Sequence, residues 1–110
     1  MIEDRIQKIE ARLKDSANIP EAKKAELLDL LAALKNEVAT LPSSHEEQAR
    51  SIAKFMDAST HEATRAEKKP KLVEASLNGL TASVEEFEAS HPKLAGVVNQ
   101  IAVALSNMGL

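Results

Sequence analysis

The side chains that could move protons or hold a metal are few: His45, His61 and His91, with no Cys in the 110 residues. An imidazole does both near neutral pH. The string His61-Glu62-Ala63-Thr64-Arg65 has the outline of the zinc-protease pattern, which sets two His four residues apart on one helix face. Arg65 stands where the second His is required, and a guanidinium that stays protonated cannot ligate a metal. Glu62 and Arg65 read instead as a solvated i, i+3 ion pair. His45 follows Ser44 in a first helical turn, and His91 precedes Pro92 at another helix start, both ordinary places for a polar ring.

Nucleophilic chemistry has no firmer footing. Ser43, Ser44, Ser59, Ser76, Ser83, Ser90 and Ser106 fall at caps, on helix surfaces or in an apolar seam, and none lies in a Gly-x-Ser-x-Gly elbow. With 3 Gly in all there is no Gly-rich phosphate loop. The acid pairs Glu46-Glu47 and Glu85-Glu86 belong on wet helix faces. Lys68, Lys69 and Lys71, flanked by Arg65, form a cationic run with no aromatic beside it to stack a base. His61, Arg65 and Lys69 are the residues that an anion or metal would meet in a speculative ligand site. No catalytic, cofactor-binding or metal-ligating set emerges. The expectation is a protein that is not an enzyme and carries no cofactor.

Composition narrows the partners. Lys+Arg number 14 against 17 Asp+Glu, a net charge of −3 with mixed signs, which gives no field to attract nucleic acid. No apolar run approaches the ~18 residues of a membrane span. The charged opening Met1-Ile2-Glu3-Asp4-Arg5 is unlike a signal-peptide core. A cytoplasmic protein without nucleic-acid or membrane partners is expected. Hydrophobic residues make up 44%, enough for a packed core, while 3 Gly and 4 Pro supply too few turns for a many-stranded sheet.

The elements that must position these residues all carry a helical period, so the fold class is all-α. Ile2, Ile6, Ile9 and Leu13 form one stripe, at spacings of four, three and four, over a first helix at 2–15. Asp15-Ser16-Ala17-Asn18 reads as a short loop. Pro20 then suits a first helical turn, and Leu27, Leu31, Leu34, Val38 and Leu41 run to a stop at Pro42, predicting a second helix at 20–41. Ser44 with Glu47 is a capping-box pattern. From it a seam runs through Ile52, Met56, Ser59, Ala63, Ala66, Pro70, Val73, Leu77, Leu80, Val84 and Phe87 in unbroken heptad phase.

That phase favours one long helix at 44–89, giving an elongated, coiled-coil-like bundle. Pro70 argues the other way, because inside a helix it removes a hydrogen bond and clashes with the preceding turn. The helix is therefore expected to be bent near Pro70, with a break between residues 58 and 70 as the alternative. Ser90 and Pro92 start a last helix at 92–108, closed by Gly109. The whole, 1–110, reads as a single helical domain with an N-terminal hairpin over 1–41.

The string Ser83-Val84-Glu85-Glu86-Phe87-Glu88-Ala89-Ser90-His91-Pro92 and the ending Ile101-Ala102-Val103-Ala104-Leu105-Ser106-Asn107-Met108-Gly109-Leu110 resemble a family of small bacterial helical proteins of unknown function. The resemblance covers residues 72–110 and is looser over 1–41. It implies an N-terminal hairpin and a C-terminal helix-turn-helix built on a Phe-Glu-x-x-His-Pro turn. It implies no activity and carries over no functional residues.

Function then rests on surfaces. The leading expectation is a structural or protein-interaction protein acting as a homodimer, and the alternative is a small binding module using the His61–Lys71 region. If helix 44–89 were continuous, its second half and the last helix could not hide their own apolar faces. Leu77, Leu80, Val84, Phe87, Leu94, Val97, Val98, Ile101, Leu105 and Met108 would then form a dimer interface. The competing arrangement folds the first or second helix over the last one within a single chain, which requires a break near Pro70.

Overall fold

Pro70 decides the topology. In the computed structural model, which describes residues 2–17 and 19–109, the segment expected as one long helix is two helices joined by a tight reversal. The predicted loop residue Asn18 and the last residue of the C-terminal string, Leu110, lie outside the described residues. The helices are α1 (Ile2–Asp15), α2 (Glu21–Ala39), α3 (Glu46–Ala63), α4 (Pro70–Val84) and α5 (Pro92–Gly109), with single 3₁₀ turns over Ser43–His45 and Glu85–Phe87. Pro70 is the first residue of α4, where its missing N–H is no loss, and Lys69 before it is extended. In the interior of a continuous helix the same residue would cost ~3 kcal/mol or more.

The heptad phase misleads here for a physical reason. Ile52, Met56, Ser59 and Ala63 are buried on α3, and Val73, Leu77, Leu80 and Val84 on α4, while Ala66 and Pro70 between them are exposed. A helix buries the same kind of stripe whether the seam continues into the next turn or faces an antiparallel neighbour. An unbroken phase therefore carries no information about continuity. A continuous helix over residues 44–89 would be ~69 Å long at 1.5 Å per residue. The molecule instead measures 38 × 25 × 20 Å, with a radius of gyration of 13.0 Å.

The helices close into a ring. α1 packs on α2 and on α3, α3 on α4, α4 on α5, and α5 returns to α2, with α3 and α5 also touching. Ion pairs tie the N-terminal hairpin in place. Lys35 on α2 reaches Glu10 on α1 at 2.8 Å, and Arg12 on α1 reaches Asp57 on α3 at 3.0 Å. Ile6, Ile9, Leu13, Leu27, Leu31 and Leu34 fill the core beneath them at 1% exposure or less. Each such side chain contributes about 1.5–3 kcal/mol on burial.

The α2–α5 contact covers, within one chain, the surface on which the dimer argument rested. Leu77, Leu80, Val84, Phe87, Leu94, Val98, Ile101 and Leu105 are buried within one chain, and Val97 and Met108 are half-buried. The break before Pro70 lets α5 turn back against α2, so this surface already has its cover. Local caps differ from expectation too. The Ser44 hydroxyl lies 3.1 Å from His45 Nδ1, and α3 starts without a side-chain cap. Gly109 is the last residue of α5, and no glycine among the described residues has the positive φ of a left-handed cap.

Candidate functional site

Of the residues singled out as a speculative ligand site, His61 and Arg65 meet at the Glu62 carboxylate, and Lys69 pairs with Glu67 instead. His61 is exposed, with Nε2 4.0 Å from Glu62 Oε2. Arg65 donates to Glu62 Oε1 at 2.9 Å, and Lys69 donates to Glu67 Oε1 at 3.2 Å. Each cation meets a carboxylate from its own stretch of chain, and their charge is answered locally. Among the described residues no group of three His, Cys, Asp or Glu side chains is placed to hold a metal ion.

The other two His do meet, and sequence separation hid it. The 3₁₀ turn before α3 carries His45, and the turn before α5 carries Phe87 and His91. Their ring centroids lie 5.6 Å apart for His45–Phe87, 5.5 Å for His45–His91 and 5.7 Å for Phe87–His91. Phe87 is buried at 1% exposure, and both imidazoles are half-buried over it. Each ring is held by the Ser before it: Ser44 Oγ at 3.1 Å from His45 Nδ1, Ser90 Oγ at 3.0 Å from His91 Nδ1. Aromatic contacts of this spacing and tilt are attractive. The cluster ties α3, α4 and α5 together at one end of the bundle.

The second feature is a surface. Along its outer side α5 exposes Gly96, Asn99, Gln100, Val103 and Asn107, with Val103 at 60% exposure. Beside it α2 exposes Glu26 and Asp29 and half-buries Leu30. Together Glu26, Asp29, Leu30, Asn99, Gln100 and Val103 line an open groove of about 570 Å³. A family model described as a domain of unknown function, DUF4404, matches residues 27–110.

The chain belongs to the DUF4404 family. The match takes in the ring cluster and every lining residue of the groove but Glu26, begins inside α2 and leaves out α1. The DUF4404 family is uncharacterised, as the sequence resemblance implied. No curated protein and no solved structure matches the chain. No helix among the described residues is long and apolar enough to cross a membrane.

A third feature went unread in the sequence. Ile19, Pro20, Lys23, Ala63, Thr64, Lys68, Asn107 and Met108 line a cleft of about 220 Å³ at the end of the bundle opposite the rings. They come from the start of α2, the end of α3, the α3–α4 loop and the end of α5. No local pattern gathers residues so far apart in the chain. Lys68 was visible as part of a cationic run, but Lys23 gave no sign that it would join it.

Proposed function

We propose that this DUF4404 protein acts without catalysis, as a helical interaction protein that pairs with a second copy of itself through the outer face of α5. The observation that carries the reading is the absence of charge there beyond Lys93 in the first turn. Residues 94–110 contain no Asp, Glu, Lys or Arg, although 28% of the chain is charged. A helix face that meets only water normally bears charged side chains. This one bears amides, a bare glycine and an exposed valine.

Gly96 supports the same reading. A Cβ built there would meet nothing within 4 Å, so packing inside the chain gives no reason for a glycine in mid-helix. Glycine costs such a position about 0.8–1.0 kcal/mol relative to alanine. A close approach by another backbone would supply the reason. A second copy suits the chemistry because Asn99 and Gln100 both donate and accept hydrogen bonds, and can meet their own counterparts across a two-fold axis.

Light scattering coupled to size exclusion tests the pairing. At micromolar concentration the expected mass is twice the 11.9 kDa of the chain, and a mass of 11.9 kDa defeats the reading. Val103→Asp should return a folded monomer. Gly96→Ala separates the two roles of that residue. In the separated chain it should raise stability by up to about 1 kcal/mol, and in the pair it should weaken association.

A further inference from the structure

We infer that the cleft between the start of α2, the α3–α4 loop and the end of α5 binds a small organic anion, a carboxylate on a short aliphatic chain. The first observation is what two lysine pairs do. In Lys23-Lys24, Lys24 is engaged, with Nζ 3.6 Å from Glu21 Oε1 and 3.4 Å from the Lys14 carbonyl oxygen. In Lys68-Lys69, Lys69 donates to Glu67 at 3.2 Å. The other member of each pair, Lys23 and Lys68, lines the cleft and has neither an ion pair nor a hydrogen bond among the described residues. Two elements distant in sequence thus each bring an unanswered cation to the same opening.

The second observation is the floor. Ile19 and Ala63, both buried, and Met108, half-buried, line the same cleft as the two lysines. Asn107, exposed at the rim, offers an amide that makes no hydrogen bond among the described residues. The Thr64 hydroxyl is already committed, donating to the Thr60 carbonyl at 2.7 Å, so it closes the wall rather than reaching for a ligand. A cationic mouth over an apolar bed selects an amphiphile with an anionic head. A bare inorganic anion would leave the bed wet, and a neutral alcohol would leave the lysines unanswered.

Size sets the chain length. The cleft's 220 Å³ is about seven waters' worth of liquid volume at ~30 Å³ each. It falls below the ~300–1,000 Å³ of sites that enclose drug-sized ligands. A carboxylate with a chain of about four to six carbons fits that space, and a long-chain fatty acid does not.

The cleft shares no lining residue with the α2–α5 groove, and only Asn107 at its rim belongs also to the outer face of α5, so the test carries a variant that separates pairing from ligand binding. The test is calorimetric titration of the full chain with hexanoate, with acetate, inorganic phosphate and hexanol as comparison probes. Expected is one saturable hexanoate site per chain, weakened tenfold or more by Lys23→Gln or Lys68→Gln with the helical circular-dichroism signal unchanged, and weakened by added salt. Lys54→Gln, on the far part of α3, should leave it alone. Val103→Asp should bind hexanoate as the parent does, so that loss of pairing and loss of the site are told apart. The inference is overturned by any of three results: no saturable heat with hexanoate, hexanoate binding indifferent to both lysine changes, or acetate, phosphate or hexanol binding as tightly as hexanoate.

Discussion

The two ends of the bundle are built from similar parts and put them to opposite use. At one end, two Ser-His pairs, Ser44-His45 and Ser90-His91, bring their rings together over Phe87, and each hydroxyl attends its own imidazole. At the other, the pairs Lys23-Lys24 and Lys68-Lys69 each engage one member and leave the other facing an apolar cleft. The first end answers its polar groups with one another, apart from the Gln48 side-chain oxygen one turn along α3, which is buried without a partner. The second end leaves charge unanswered. The lesson is that a duplicated dipeptide says little about role; what decides it is whether the fold engages both members or only one.

The comparison can be broken most severely at the ring end. Phe87→Ala removes the buried platform and should cost about 3–5 kcal/mol in urea denaturation, the range for deleting a core aromatic. At the cleft end the largest effect should come from Gly109→Ala. A Cβ there would lie 2.9 Å from Val73 Cγ1 and 3.1 Å from the Ala63 Cα, so α5 must shift, at about 1–3 kcal/mol. Single His45→Ala or His91→Ala changes should lose about 0.5–1.5 kcal/mol each, and the double change should lose less than their sum because the two rings share one contact. Smallest of all, Lys23→Gln and Lys68→Gln should stay within about 0.5 kcal/mol of the parent. That last result sharpens the contrast, since residues that matter for a ligand and not for the fold are the mark of a site.

Much of the fold was legible because it rests on local periodicity. Ile6, Ile9 and Leu13, or Leu27, Leu31, Leu34 and Val38, each define a buried stripe at helical spacing, and the structure buries all of them. The reversal at residues 64–69 was harder, because heptad phase and Pro70 gave opposite answers and phase was the weaker witness. Proline acts on the backbone directly, whereas phase reports only that some partner exists. Most of the residues expected at an interface are buried within the chain for the same reason. Once the chain folds back, Val98, Ile101 and Leu105 lie in the core, and the uncharged side of α5 that carries Asn99, Gln100 and Val103 stays exposed. His45 with His91, and Lys23 with Lys68, are meetings between elements far apart in the chain. Single-residue spacing contains no trace of them.

The position of α5 between α2 and α4 also has a consequence in time. As the polypeptide is synthesised from its N-terminus, α1 can fold against α2 at once, and α3 against α4, each helix finding a neighbour made moments before or after. The face of α2 that belongs to α5 has no such neighbour. Residues 40–91 must be added before the first turn of α5 exists, a delay of ~3–10 s at the ~5–20 residues per second of translation. Through that interval the face of α2 that packs on α5 is left open.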